Sequence, residues 1–210
     1  MNVRFDAPPG LALVPLHEEI SLRRAAAEEL VASATAPDRH AGVSSVLAAG
    51  ELLSRCDLVL AGTLALPDTE TSEFAAVTLA VRALPVRHGL FDRPEARDEL
   101  ARAVEKTMAQ ANPAAAVQYR LLGCGPVVLV LRASLFDLPG DVTVTGEAVA
   151  ITSDSLQAIV PPPGVSEVAV LDISSSSRVL WPRFVEVALT MIDSIRIDPS
   201  DDADSAGTTR

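Results

Sequence analysis

Few residues in this sequence have side chains suited to catalysis or metal binding, and their spacing matches no known site. The three histidines, His17, His40 and His88, lie far apart. No histidine pair has the H-x-x-x-H spacing by which helices bind zinc, and the two cysteines are not arranged as C-x-x-C. We therefore predict surface or loop histidines and no metal site.

Cys124 is the most reactive-looking single position, because it lies between Gly123 and Gly125 in a segment that could be exposed. A nucleophilic cysteine also needs a neighbouring group that lowers its pKa, and the sequence assigns none. We interpret this segment as a tight hairpin turn, with catalysis through Cys124 as the alternative. We then expect Cys56 and Cys124 to be reduced, buried, small hydrophobic side chains.

The remaining polar motifs also have structural explanations. The serine run 174–177 precedes a predicted helix, where serine is a common cap, and it lies in no G-x-S-x-G turn. The glycines around Cys124 lack the third glycine and the following helix of a dinucleotide fingerprint. Four carboxylates are explained by turns and by the wet face of a strand, namely Asp137, Asp141, Glu147 and Asp154. The sequence therefore predicts no catalytic, cofactor-binding or metal-binding residue.

Composition restricts the partners. The 210 residues carry a formal charge of −11, and Lys106 is the only lysine. Nucleic acids and anionic membranes need clustered basic residues, so we expect neither as a partner. No apolar run approaches the ~18 residues of a membrane span. The N-terminus lacks a basic segment followed by an apolar stretch, so we expect a cytoplasmic protein. The arginine and alanine usage is typical of a GC-rich genome.

Hydrophobic periodicity and turn residues predict an α+β fold, with helices flanking an antiparallel sheet. The predicted helices are 16–33, 46–54, 92–111 and 180–194, with a loop at 35–45 and a capping box from Asp92 to Glu95. The predicted strands are 56–66, 74–84, 117–122, 127–133, 142–152, 155–160, 167–174 and 195–197. We expect the first two strands to form a hairpin with a long connection.

The chain divides into three parts by composition. Residues 1–15, with three prolines, are predicted as an extended lead-in, and residues 16–198 as a single α+β domain. Residues 199–210 are rich in aspartate and lack large apolar residues, which predicts a disordered acidic tail. The segment from Pro161 to Gly164 is predicted as a stiff loop, with a short polyproline ligand as the alternative.

Trp181 is the only tryptophan and opens the last predicted helix. In a core built mainly of alanine, valine and leucine, we expect its ring to fasten this helix to the sheet, so that truncation costs about 3–5 kcal/mol. The alternative is a tryptophan that anchors a partner interface.

The segment 165–197 resembles the closing strand, helix and final strand of the PsbP-like superfamily. The similarity lies in an apolar strand, a small-polar turn, a helix led by Trp181 and Phe184, and a Ser-Ile-x-Ile exit. It implies an antiparallel sheet in a non-catalytic accessory or binding protein, here with an added N-terminal helix. It offers no functional residues to transfer.

Two classes of function follow. The first is an accessory or adaptor protein that binds another protein or a second copy of itself, because a chain with 49% hydrophobic residues has either an efficient core or an exposed apolar patch. The alternative is a small-molecule-binding protein or enzyme with a pocket between sheet and helix. Polar groups converging in a deep apolar pocket favour the alternative, and a flat apolar face favours the adaptor.

Overall fold

The computed structural model describes residues 2–16, 19–33, 39–56, 58–66, 73–83, 94–140, 146–161 and 167–198. Their elements follow in the order β1 (Asn2–Arg4), β2 (Leu11–Leu13), α1 (Ile20–Ser33), α2 (Arg39–Ser54), β3 (Leu58–Ala65), β4 (Phe74–Ala83), α3 (Pro94–Ala111), β5 (Ala116–Leu122), β6 (Gly125–Leu138), β7 (Val149–Val160), β8 (Glu167–Ser175), α4 (Trp181–Ser194) and β9 (Arg196–Asp198). The predicted α+β class is confirmed.

The main sheet has seven antiparallel strands in the order β2-β3-β4-β8-β7-β6-β5. The predicted β3–β4 hairpin is confirmed. Strands β4 and β8 pair across the middle of the sheet, with Val77 opposite Ile173, although three strands and a helix lie between them in the described part of the chain. Strand β1 pairs with β9 in a separate two-stranded ribbon. Both β1 and β2 come from the predicted extended lead-in.

The main core lies between one face of the sheet and α4. Alternate residues of each strand point to this face, so Leu79 of β4, Leu156 of β7 and Ile173 of β8 meet there. The helix supplies its buried stripe, Phe184, Ala188, Met191 and Ile192. Pro182 occupies the first turn, as expected, because that turn needs no N–H from it. Trp181 packs against this core but remains partly exposed.

The opposite face is covered by α3 over part of its length. Ala101 is fully buried on Val128 and Val130, and Val104 and Met108 pack beside it. The predicted inward stripe of α3 is therefore partly wrong, because Ala103, Thr107 and Ala111 are exposed. The helix begins at Pro94, and the predicted capping residue Asp92 lies outside the described residues.

Helices α1 and α2 pack against each other, and α2 contacts β3. The first helix begins at Ile20 instead of Leu16. The predicted loop 35–45 is wrong from residue 39 onward, where α2 has already begun. A Cβ added at Gly42 would lie 3.1 Å from Cγ1 of Val31, so the two helices approach closely at this point. Tertiary packing thus overrides the loop-like local composition.

The strand boundaries near the middle of the chain also differ from the prediction. Strands 142–152 and 155–160 were expected to be separated by Ser153 and Asp154, yet β7 runs without interruption from residue 149 to 160. The ladder continues through both residues, with Ser153 opposite Ser134 and Asp154 opposite Ala133. The paired β6 extends to Leu138, five residues beyond its predicted end.

Candidate functional site

The candidate site is the part of the α3-side face that α3 does not cover. Along β6, β7 and β8, the side chains on this face change from apolar to polar in the same cross-strand rows. Val128, Ile159 and Val170 form the row beneath α3. Two rows further on, Arg132 lies opposite Ser155, and Ser155 lies opposite Ser174. A polar surface therefore begins where the helix ends.

Four serines form the floor of this surface, and we call them the serine floor: Ser134, Ser153, Ser155 and Ser174. All four line a shallow depression of about 180 Å³, and Ser153 and Ser174 also line its larger neighbour of about 310 Å³. Because serine side chains are short, the strands leave a hollow there that larger residues would fill. The floor offers hydroxyl donors and acceptors at a surface only one side chain deep.

A charged pair lies beside the floor. The Nε of Arg132 donates a hydrogen bond to Oγ of Ser155 at 3.1 Å, and its Nη2 lies 3.8 Å from Oδ2 of Asp172. Burial raises the pKa of the Asp172 carboxyl above its usual range, and the charge of Arg132 and a hydrogen bond with Gln157 oppose that rise. Asp172 is therefore the described carboxylate whose ionisation the fold makes costly.

Two phenylalanines form the rim of the larger depression. Phe74, at the start of β4, is 57% exposed, and Phe136, near the end of β6, is 54% exposed. Both line the depression together with Ile151. The hydroxyl of Ser175 donates to the carbonyl of Phe74 at 2.9 Å, which holds the start of β4 against β8. We call the serine floor with Phe74 and Phe136 the aromatic-rimmed surface.

The serine run 174–177 has a structural role that differs from the one expected. The Oγ of Ser177 accepts a hydrogen bond from the N–H of Leu180 at 3.2 Å and donates to the carboxylate of Glu73. The hydrogen bond from Leu180 to Ser177 closes the turn at residues 178–180, which directly precedes α4. The cap position of α4 itself is Leu180, which makes no side-chain capping bond. All four serines of the run also line the larger depression.

Cys124 lies in the tight β5–β6 hairpin turn, as expected, where Leu122 pairs with Gly125. Burial raises the pKa of its thiol, which disfavours the nucleophilic thiolate. The guanidinium of Arg97 donates to the carbonyl oxygens of Cys124 at 3.0 Å and Pro161 at 2.8 Å, and burial lowers the pKa of Arg97. Arg97 therefore holds the backbone of the β5–β6 turn close to the backbone at Pro161, just after β7. The expectation of a buried side chain is wrong for Cys56, which is exposed just after α2 ends at Ser54.

Among the other candidate residues, those that the structure describes do not converge on the aromatic-rimmed surface. His17, His88 and Asp141 lie outside the described residues, as does the side chain of His40. Asp154 lies opposite Ala133 and Asp137 opposite Ala150, so these carboxylates are four residues apart along the ladder, about 13 Å. Within the described ranges, no group of three or more His, Cys, Asp or Glu side chains could hold a metal ion.

Sequence reasoning missed this surface, although each strand carries a signal of it. In β6 an apolar run ends at Leu131, in β7 a polar run ends at Ser155, and in β8 an apolar run ends at Leu171, after which only Ile173 is apolar. These three changes coincide only once the strand register is known. The fourth contributor, Phe74, reaches the site through the pairing of β4 with β8, which local sequence does not specify.

Comparison with known proteins does not assign the chain to a family. No protein-family model matches it, and no curated protein is similar to it at a significant level. Among the described residues, no helix is both long and apolar enough to cross a membrane.

Proposed function

We propose that this chain is a non-catalytic accessory protein that binds another protein through the aromatic-rimmed surface. The observation that carries the proposal is the pair of exposed rings, Phe74 and Phe136, on either side of a shallow hydroxyl-lined floor. Aromatic residues are enriched in interfaces, and a solvated polar floor is typical of a reversible contact. A shallow surface fits a protein partner better than a small molecule that must be enclosed.

The charge of the chain indicates the chemistry of that partner. The formal charge is −11, and Glu73 and Asp172 lie at the surface itself, opposed by Arg132. A partner with basic residues around an apolar contact would be attracted, and an acidic partner would be repelled. We propose neither nucleic acid nor a membrane as a binding partner, and we propose a cytoplasmic location.

A PsbP-like relationship is part of the proposal. Its support is the order β8, α4 and β9, a strand, an aromatic-led helix and a short final strand over the segment that carries the resemblance. On this reading α1 is an addition to the common fold. The relationship predicts an accessory role and no catalytic residues, in agreement with the proposed binding function.

Affinity capture from the native host tests the proposal when it is made comparative. The baits are the parent chain, Phe74→Ser, Phe136→Ser and the control Leu121→Ser, which alters a 73% exposed leucine on β5 outside this surface. We expect one protein that the parent and control capture equally and that each phenylalanine variant captures about tenfold less, equivalent to ~1.4 kcal/mol. Identical capture by all four baits would refute the proposed surface.

A second candidate function is the binding of a small polar molecule. It is favoured by one observation, the Arg132–Asp172 pair beside Ser155 and Ser174 in the smaller depression. This arrangement could recognise a ligand that offers both a donor and an acceptor. Thermal denaturation of the parent and of Arg132→Met with a panel of polar metabolites separates the two functions. A ligand that stabilises only the parent favours this candidate.

A further inference from the structure

Strand β6 extends well beyond its neighbour β5. The first residue of β5, Ala116, pairs with Leu131, and before it the chain turns at Ala115, whose N–H donates to the carbonyl of Asn112 at 2.9 Å. On its other side β6 continues to pair with β7 as far as Leu138. Among the described strands, none pairs with residues 132–138 on the β5 side. This stretch is therefore an open sheet edge.

The backbone groups that face this edge follow from the register. The two-residue turn between β5 and β6 is closed by the pair Leu122–Gly125, which in such hairpins exchanges hydrogen bonds. Alternation then directs the N–H and C=O groups of Ala133, Leu135 and Asp137 away from β7. The N–H of Tyr119 supports this assignment of inward and outward groups, because it points away from β6 and donates to Oε1 of Glu105 at 2.8 Å.

The two parts of this sheet edge differ in protection. On β5, the carboxylate of Glu105 occupies the outward N–H of Tyr119, which hinders another strand from pairing there. The open stretch of β6 contains neither lysine nor proline, and its Leu135 is 69% exposed. Residues 134–138 and 149–153 extend past both neighbouring strands as a two-stranded arm, an arrangement that is only marginally stable alone.

We propose that this open edge is a self-association site, at which β6 of a second copy adds in antiparallel orientation. A two-fold axis at Leu135 would place Ala133 of each copy opposite Asp137 of the other, so that outward donors and acceptors match. Leu135 of one copy would lie opposite Leu135 of the other, and both side chains would lose their exposure to water. The two arms together would form a four-stranded sheet, which meets the usual requirement for a stable sheet.

Charge favours a second copy at this place. The chain as a whole carries −11, so two copies repel over most of their surfaces. Residues 132–138 contain one arginine, Arg132, and one acid, Asp137, and so have no net formal charge. Leu135 and Phe136 point to opposite faces because neighbouring strand residues alternate. Self-association through the edge is therefore separable from partner binding through Phe136, and does not rest on it.

Sedimentation analysis of the full chain tests the proposal. A single-strand interface is smaller than the ~1,200 Å² of stable complexes, so we expect a dimer fraction that rises between about 10 and about 500 µM. The dimer would have twice the monomer mass of 22.0 kDa. Leu135→Pro removes an outward N–H without removing a bond to β7, and should abolish the dimer. Its matched control, Leu121→Pro, removes an outward N–H of β5 and should leave the dimer intact.

A side-chain variant covers the case in which a proline variant fails to fold. Leu135→Lys keeps the backbone donors and adds a charge of the kind that natural edge strands use against pairing, so it should lower the dimer fraction severalfold. A parent chain that stays monomeric throughout this concentration range overturns the proposal. A dimer that persists in Leu135→Lys also overturns the proposal. Loss of the dimer in Leu121→Pro does so as well, if that variant has the same melting temperature as the parent. Hydrogen-exchange protection of the edge amides that appears only when host extract is added would show that the edge binds a strand of a different protein instead.

Discussion

Asp172 is the residue whose protonation most directly reports on the site. Its pKa is raised in the folded chain by burial. The stabilising contribution of its protonated form is complete below the ordinary pKa of 3.8 and is lost as the pH rises through the raised value. We expect Asp172→Asn to gain free energy of unfolding relative to the parent between about pH 3 and about pH 7.

Urea denaturation of both proteins across that range measures this difference. Arg132→Met provides a second comparison, because Arg132 opposes the rise in the pKa of Asp172. Without that charge, the chain should lose more stability with rising pH than the parent does. A difference between Asp172→Asn and the parent that is constant with pH would show that the carboxylate is well solvated in the folded state.

Phe184 and Trp181 have different roles in fastening α4 to the sheet. The sequence-based expectation gave this role to Trp181, but Phe184 is the fully buried ring, and Trp181 only borders the core. Phe184→Ala should therefore cost about 3–5 kcal/mol, because it leaves a cavity in a closed core. Trp181→Ala should cost less, about 1–3 kcal/mol. Denaturant titrations of the two variants measure both losses, and a larger loss for Trp181→Ala would contradict the packing described.

Among the structural elements, the β5–β6 turn depends strongly on a glycine. Gly125 has φ of +107°, and a Cβ added to it would lie 2.6 Å from Nη2 of Arg97. Gly125→Ala should cost about 2–4 kcal/mol, from backbone strain and from displacement of the guanidinium that binds two carbonyl oxygens. Thermal or chemical denaturation measures the loss.

Gly146→Ala is the matched control for the turn. Its φ is +73°, and the described residues place no atom within 4 Å of an added Cβ, so only backbone strain of about 1–2 kcal/mol applies. In an Arg97→Met background the cost of Gly125→Ala should fall to a similar value. Equal losses for the two glycine variants in the parent background would show that Arg97 can move aside freely.

The elements themselves were predictable to the extent that their signals are local. Alternation and turn residues located β3, β4, β5 and β8 to within about two residues, and periodicity located α3 and α4. Ser153 and Asp154 resembled a turn because these residue types favour one. In the fold they continue β7, since the ladder with β6 runs through both of them, with Ser153 opposite Ser134 and Asp154 opposite Ala133. Pairing over a long sequence separation overrides such local preferences.

For the molecule as a whole, the sequence supports a proposal about the class of function but does not locate a surface. The partner preferences expected from its strong negative charge remain part of that proposal. The aromatic-rimmed surface needs Phe74 and Phe136 to lie on one face, and that depends on the register of four strands. The extent of α3 determines which part of this face stays open. Neither feature can be read from local patterns.

Photo-crosslinking from residue 136 in living host cells tests the central claim most directly. A photoreactive phenylalanine analogue replaces Phe136 in one strain, and in a control strain it replaces Leu121, which is exposed outside the surface. We predict that light produces one abundant adduct with a different protein from position 136, and that this adduct is absent from position 121. No adduct from position 136, or the same adducts from both positions, would contradict a partner-binding role for the aromatic-rimmed surface.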